Sequence, residues 1–486
     1  MKHRIVVIGG GIAGLAAAHR LLELRDAQAL DLEVLLLEAS HRLGGCIATE
    51  RVGDFVIEAG PDSFISEKPW ALRLCERLGL VPRLVSTQAA YQKIYVVHDG
   101  KLVPLPEGFF LLAPTQLAPF VRTPLFSWRG KLRMIAELLM PRGDTNIDES
   151  LGAFVRRRFG SEALERVAQP LLGGIYAADP DKLSLISTMP RFKEMEKSHR
   201  SIIWAMWSEQ RRRARKRESG SGARWSLFVT LAGGMEELVD AIGQHLPQGS
   251  ARLNSTVKSI SLSDDKQGWQ IASGTGEVFE TDGIILATPA FHTAQMLASA
   301  APEAAKELSS IAYASSATIS LAYRNRDFPQ MPDSFGFVVP AIESRKIMAC
   351  TFSSLKYPGR AREGQVLLRA FVGGSLQPDV LDDNDPILER NVRAELATLV
   401  GVRAEPLLVR IQRHRNSMPQ YHVGHQARIQ RIESALGKHP NLALAGSAYH
   451  GVGISDCVRT GEEAAEKLFK QIVTTGRNKL VTPAKR

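Results

Sequence analysis

The chain has 486 residues, 44% of them hydrophobic and 23% charged, which excludes wholesale disorder and exceeds what one hydrophobic core organises. Its formal charge is +10, but RRRARKR at residues 211–217 supplies six of those charges, so the basicity is one local patch. That patch reads as a solvated face or an attractor for anionic lipid or substrate, and with no interleaved aromatics it does not point to nucleic acid.

Residues 1–11, MKHRIVVIGGG, enter an apolar strand and a glycine turn with no secretory apolar core or cleavage site, so a cytoplasmic protein is expected. The run RIVVIG leads into Gly9, Gly10, Gly11, Ile12, Ala13 and Gly14, then into the helix former LAAAHRLLEL and a second strand, LEVLLLE, ending at Glu38. This is a Rossmann-type βαβ unit. Gly9 permits the tight turn, Gly11 lets backbone approach a pyrophosphate, and Gly14 packs helix on strand; the helix N-terminus attracts phosphate and Glu38 accepts from a ribose. Residues 109–140 mix large apolar groups with prolines and Arg/Lys, as a core, tunnel-lining or interfacial segment would. No apolar run is long enough to span a membrane. Residues 211–222, charged and then Ser/Gly-rich, read as an exposed loop. Near the far end, residues 441–456 repeat the strand, glycine turn and helix pattern, and the tail from residue 476 reads as disordered. Cys46, Cys75, Cys350 and Cys457 are scattered without a C-x-x-C pair, which argues against a disulfide framework or a zinc site and for a reducing compartment; no metal is expected.

The stretch Glu38, Ala39, Ser40, His41, Arg42, Leu43, Gly44, Gly45 resembles FAD-dependent amine oxidases, phytoene desaturases and porphyrinogen oxidases. The resemblance implies FAD, with Arg42 and the Gly44-Gly45 turn against the diphosphate. It also implies that Val257 of Thr256-Val257-Lys258 holds adenine, that residues 282–290 return to the cofactor domain, and that Gly446, Val452, Gly453, Ile454 and Asp456 close over the flavin. Residues 58–64 (EAGPDSF), 173–184 (GGIYAADPDKLS), 197–202 (KSHRSI) and 418–425 (MPQYHVGH) together resemble the bacterial oxygen-dependent protoporphyrinogen/coproporphyrinogen oxidase family. Within it Gly60, Pro61, Asp62 and Ser63 are implied cofactor contacts, Lys68 and Arg200 candidate propionate cations, and Gly174 a close-approach point for the macrocycle. Asp62 and Ser63 stand where other branches carry an arginine, so that arrangement does not transfer.

The fold implied is α/β plus α+β. A discontinuous Rossmann-type FAD-binding domain (1–95, 230–300, 410–475) would accompany a mixed-sheet substrate-binding domain (301–409) and a helical insertion (96–229) that is a candidate for facing a membrane. The activity implied is six-electron oxidation of a porphyrinogen to a porphyrin in haem biosynthesis, with O2 as acceptor and three H2O2 formed, the flavin carrying the chemistry and no catalytic side chain assigned. Protoporphyrinogen IX is the narrow preference, on the modest charge outside the basic patch. Coproporphyrinogen III is the alternative, and a non-catalytic porphyrin carrier the reading from another class. Beyond substrate and O2, the candidate partners are an anionic membrane surface, a ferrochelatase receiving the product, and a second copy of the chain.

Overall fold

A computed structural model describes residues 3–110, 113–114, 116–144, 147–217, 225–263 and 268–481. The strand His3–Ile8 lies at the centre of a five-stranded, all-parallel sheet in the order Ala251–Arg252, Leu32–Leu37, His3–Ile8, Gly283–Leu286, Leu442–Leu444. Apart from the edge strand Ala251–Arg252, its strands are short, apolar and largely buried, the pattern that parallel pairing requires. One face is covered by the helices Ile12–Gln28, Glu236–His245 and Ile454–Val481, packed through Leu15, Ala16, Leu238, Val458 and Leu468. The other carries a three-stranded antiparallel sheet, Val257–Leu262, Trp269–Ser273 and Val278–Thr281, together with helices Ala290–Leu297, Pro302–Ser309 and His425–Leu436.

A second, seven-stranded mixed sheet runs Leu408–Pro419, Tyr313–Arg324, Gln365–Gly373, Ala349–Phe352, Ser334–Val338, Lys93–His98, Lys101–Pro104. Side chains alternate across it. Leu368, Ala370 and Val372 pack against helix Asp385–Leu399, whereas Leu367 packs with Phe55 and Ile57 on the cofactor side. Two limits differ from the sequence expectation. Leu408–Pro419 pairs with Tyr313–Arg324 along its length, so residues 410–419 belong to this sheet rather than to the parallel one; apolar Val409 and Ile411 gain burial there. Lys93–His98 likewise pairs with Ser334–Val338.

Residues 117–217 form a helical region around Phe120, Phe126, Phe154 and Phe159. Inside it Glu137, Arg158 and Glu196 are fully buried together, and Glu137 accepts from Ser201 Oγ (2.6 Å) and Ile202 N (2.8 Å) to cap helix Ile202–Arg217. The segment 109–140 divides: Phe120, Leu125 and Met134 are core, while Trp128, Leu132 and Leu139 are exposed. Residues 211–217, expected as loop, continue a helix, and residues 218–222 lie outside the described residues. The last helix runs on to Val481, through the first part of the expected tail; residues 482–486 lie outside the described residues.

Candidate active site

At the end of His3–Ile8 the chain turns at Gly9 (φ +106°), and helix Ile12–Gln28 begins with Gly11 as N-cap. No side chain caps this helix and no acid stands in its first turn, so its first amides and the positive end of its dipole are left for an external acceptor. Gly14 sits where a Cβ would lie 1.9 Å from Gly9 O, so only glycine lets the helix start this close to the turn. Ile12 and Ala13 are buried beside it. A second turn lies against the first: Gly44 N donates to Gly10 O (2.8 Å), and a Cβ on Gly45 (φ +59°) would stand 3.2 Å from Gly11 Cα. Above Gly11 itself a Cβ would meet nothing within 4 Å. The result is a backbone-lined groove open on one side.

Glu38, at the end of the second strand, accepts from Gly10 N (2.5 Å) and Ser40 N (2.8 Å). Ala39 follows it in an exposed bend. Ser255 N donates to Glu38 O (2.8 Å) and Asn254 N to Ser40 O (2.9 Å), bringing the start of the Val257 strand beside the acid. These residues fit a dinucleotide: uncapped amides and bare glycines for a diphosphate, a carboxylate for ribose hydroxyls, a strand edge for a base. Arg42 differs from expectation. Its guanidinium donates to Leu43 O (3.0 Å), Gly45 O (2.5 Å) and Ile47 O (2.8 Å), so it staples the turn through carbonyls that would otherwise lack donors.

The loop of Gly60, Pro61, Asp62 and Ser63 meets this groove at Gly60, where a Cβ would fall 1.8 Å from Cys46 O. From the seven-stranded sheet, Arg369 Nη2 donates to Gly60 O (2.6 Å) and His414 Nε2 to Ala59 O (2.9 Å). Asp62 accepts from Lys356 Nζ (2.9 Å) and Ser63 Oγ (2.7 Å). Burial opposes its ionisation, but the Lys356 ammonium and the Arg369 guanidinium outweigh that and hold the carboxyl well below the usual carboxylate range. Behind it, Arg360 pairs with Glu58 at 3.2 Å.

At the other end of the site Tyr421 donates to Ser447 O (2.6 Å) and accepts from Gly451 N (2.8 Å), fixing the turn between Gly446 and Val452. Gly453 and Ile454 then open the last helix, with Asp456 in its first turn. Asp456 is bonded to Lys68 Nζ at 2.6 Å. The sequence assigned these two residues to different ligands, and the structure pairs them with each other. The remaining motifs converge here: Gln420 Nε2 donates to Tyr176 O (3.1 Å), and Ser184 N to Tyr421 O (2.7 Å). Gly174 is exposed near the end of helix Gln169–Tyr176, with open space where a Cβ would be. Beside it Gly173, Ala177, Ala178, Val339, Met348 and Leu376 line an apolar cleft. Arg200 stands apart, with its Nη2 donating to Leu138 O (3.1 Å) inside the helical region. Sequence reasoning missed Lys356, Arg369, His414 and Tyr421. The visible signal was a charge inside an apolar strand, LLRAFVGG, since a buried arginine without a partner is rare.

The model of flavin-containing amine oxidoreductases matches residues 12–468. A coproporphyrinogen III oxidase of Bacillus subtilis (strain 168) is 36% identical over 95% of this chain and 97% of its own. A protoporphyrinogen oxidase of Bos taurus is 31% identical over 96% and 99%. A solved structure from Exiguobacterium sp. 255-15 superposes with a TM-score of 0.83 at 32% identity, covering 97% of this chain and 100% of that one. With FAD as its cofactor, the chain belongs to the flavin-containing amine oxidoreductase family and, within it, to the porphyrinogen oxidases.

Proposed function

We propose that this protein oxidises coproporphyrinogen III to coproporphyrin III, passing six electrons and six hydrogens to three O2 to give three H2O2. The similarity to the B. subtilis coproporphyrinogen III oxidase across 95% of the chain carries this reading. The sequence preference for protoporphyrinogen IX rested on total charge, and local charge is the better guide. The segments that meet the glycine groove carry Lys68, Lys356 and Arg369 against Asp62 and Asp456, an excess of cations that suits a polycarboxylate.

FAD held by the glycine groove and Glu38 would supply two-electron redox chemistry, with O2 as the terminal acceptor. The chain's own part is placement. The glycine groove binds the diphosphate, Glu38 the ribose, and Tyr421 keeps the closing turn in position. The cleft beside Gly174 marks where the macrocycle would approach, and the bare glycine removes the atoms that would hold it off.

Purified protein is mixed with each porphyrinogen, anaerobically and then in air, following flavin bleaching and porphyrin fluorescence. Coproporphyrinogen III should give the higher kcat/KM. Binding without bleaching or fluorescence above autoxidation would make the protein a carrier.

Peripheral membrane contact belongs to the same proposal. Trp128, Leu132 and Leu139 are 66%, 66% and 80% exposed on adjoining turns, with Arg129 and Arg133 between them. No helix among the described residues is long and apolar enough to cross a membrane. Sedimentation with anionic liposomes, lost in Trp128→Ser, tests this.

A further inference from the structure

One guanidinium beside the Gly60 loop uses only part of its bonding capacity. Arg369 lies mid-strand in Gln365–Gly373 and is 5% exposed. By alternation with Leu367 it faces the cofactor side of the sheet. Of its donors only Nη2 is engaged, by Gly60 O at 2.6 Å and Ala59 O at 3.4 Å. Its Nε is buried with no partner, a state that costs free energy until something fills it.

The acids nearby are already committed. Asp62 is held by Lys356 and Ser63, and Glu58 by Arg360, Thr49 and the amide of Met235. His414 adds no negative charge. Burial lowers the Arg369 pKa and the two acids only partly restore it, so the cation is short of counter-charge. Its plane is fixed over the Phe371 ring, 5.1 Å from the centroid, which preorganises the fork for a planar anion.

The same strand leads from Arg369 to the cleft beside Gly174. Past Gly373 the chain reaches Gly374 and Ser375, whose amide donates to Ala177 O (2.8 Å), three residues beyond Gly174. Five residues of extended chain span about 16 Å, comparable to a tetrapyrrole with its acid side chains extended.

We propose that Arg369 binds a carboxylate of the porphyrinogen. This rests on the porphyrinogen oxidase reading above. FAD-loaded wild type, Arg369→Gln and Arg369→Lys are titrated with coproporphyrin III and with its uncharged tetra-amide, following quenching of porphyrin fluorescence. Flavin content and unfolding midpoint are read on the same samples. The glutamine variant should bind the tetra-acid about tenfold more weakly or worse and the tetra-amide unchanged, with flavin retained. The lysine variant, which keeps charge without the fork, should fall between. Equal weakening of acid and amide, or no weakening of the acid, overturns the proposal. If the glutamine variant does not fold, the lysine variant decides on the same acid-to-amide comparison. Turnover by the wild type is scored separately: a protein that binds but does not oxidise fails the functional reading, while the selectivity of Arg369 stays measurable.

Discussion

Around Gly9, Gly14 and Gly45 the site is built of backbone; around Asp62 it is built of charge. The two regions meet at Gly60, yet they fail in opposite ways. The glycine groove has no room for an added atom: the position of a Gly14 Cβ is already taken by Gly9 O at 1.9 Å. The charged wall has no room for a lost one, because only Asp62 and Glu58 are set against Lys356, Arg369 and Arg360 in a low-dielectric setting.

Four changes would break or sharpen that contrast. Gly14→Ala should be the most damaging, costing about 4 kcal/mol by forcing helix from strand and abolishing FAD retention; denaturant unfolding and flavin absorbance read both. Asp62→Asn removes one charge and almost no volume, and should cost about 3 kcal/mol by leaving two buried cations short of an anion. Its effect depends on pH. The folded carboxyl lies below its unfolded value of about 3.9, so its contribution is complete above that value and is lost as pH falls through the folded one. The wild type should therefore lose stability in acid more steeply than the variant, and parallel acid limbs would contradict the ion cluster. Tyr421→Phe deletes bonds to Ser447 and Gly451 and should cost about 1–2 kcal/mol, with faster flavin loss on dilution. Lys68→Ala should be mildest in stability, about 1 kcal/mol, since the lysine is half-exposed although its partner Asp456 is buried. It should raise the KM for substrate while flavin content holds, and unchanged kinetics would leave Lys68 as a partner of Asp456 alone.

The contrast also explains what could be read in advance. The βαβ unit is encoded within 36 consecutive residues, from His3 to Glu38, as a strict sequence of apolar run, glycine turn and helix, so local physics names it. The wall draws on residues 58–63, 356–369 and 414, joined only when the seven-stranded sheet packs on the cofactor region, and no local pattern links them. Arg42 was legible as a cation near the turn, but not that three of its N–H groups would go to carbonyls of that turn. Lys68 and Asp456 were each legible as charged site residues, and nothing in a sequence reports that they choose each other. The motif around Tyr421 stood out only through the family resemblance; the structure supplies a reason, since Gln420 and Tyr421 bond the segments that carry the other motifs.

The parallel sheet is threaded in an order that bears on how the protein is made. Its central strand, His3–Ile8, emerges first, while Leu442–Leu444 must travel the rest of the sheet's span before it can pair with Gly283–Leu286. At about 5–20 residues per second this gap represents roughly 20–90 s of ribosome time. The nascent βαβ unit spends that interval with an uncovered edge and without Tyr421, Ser447 or Gly451 to close the nucleotide groove. Cofactor capture is thus deferred until the segment from Leu442 through the helix Ile454–Val481 has been made, and riboflavin starvation should leave chains in which protease trims that helix first.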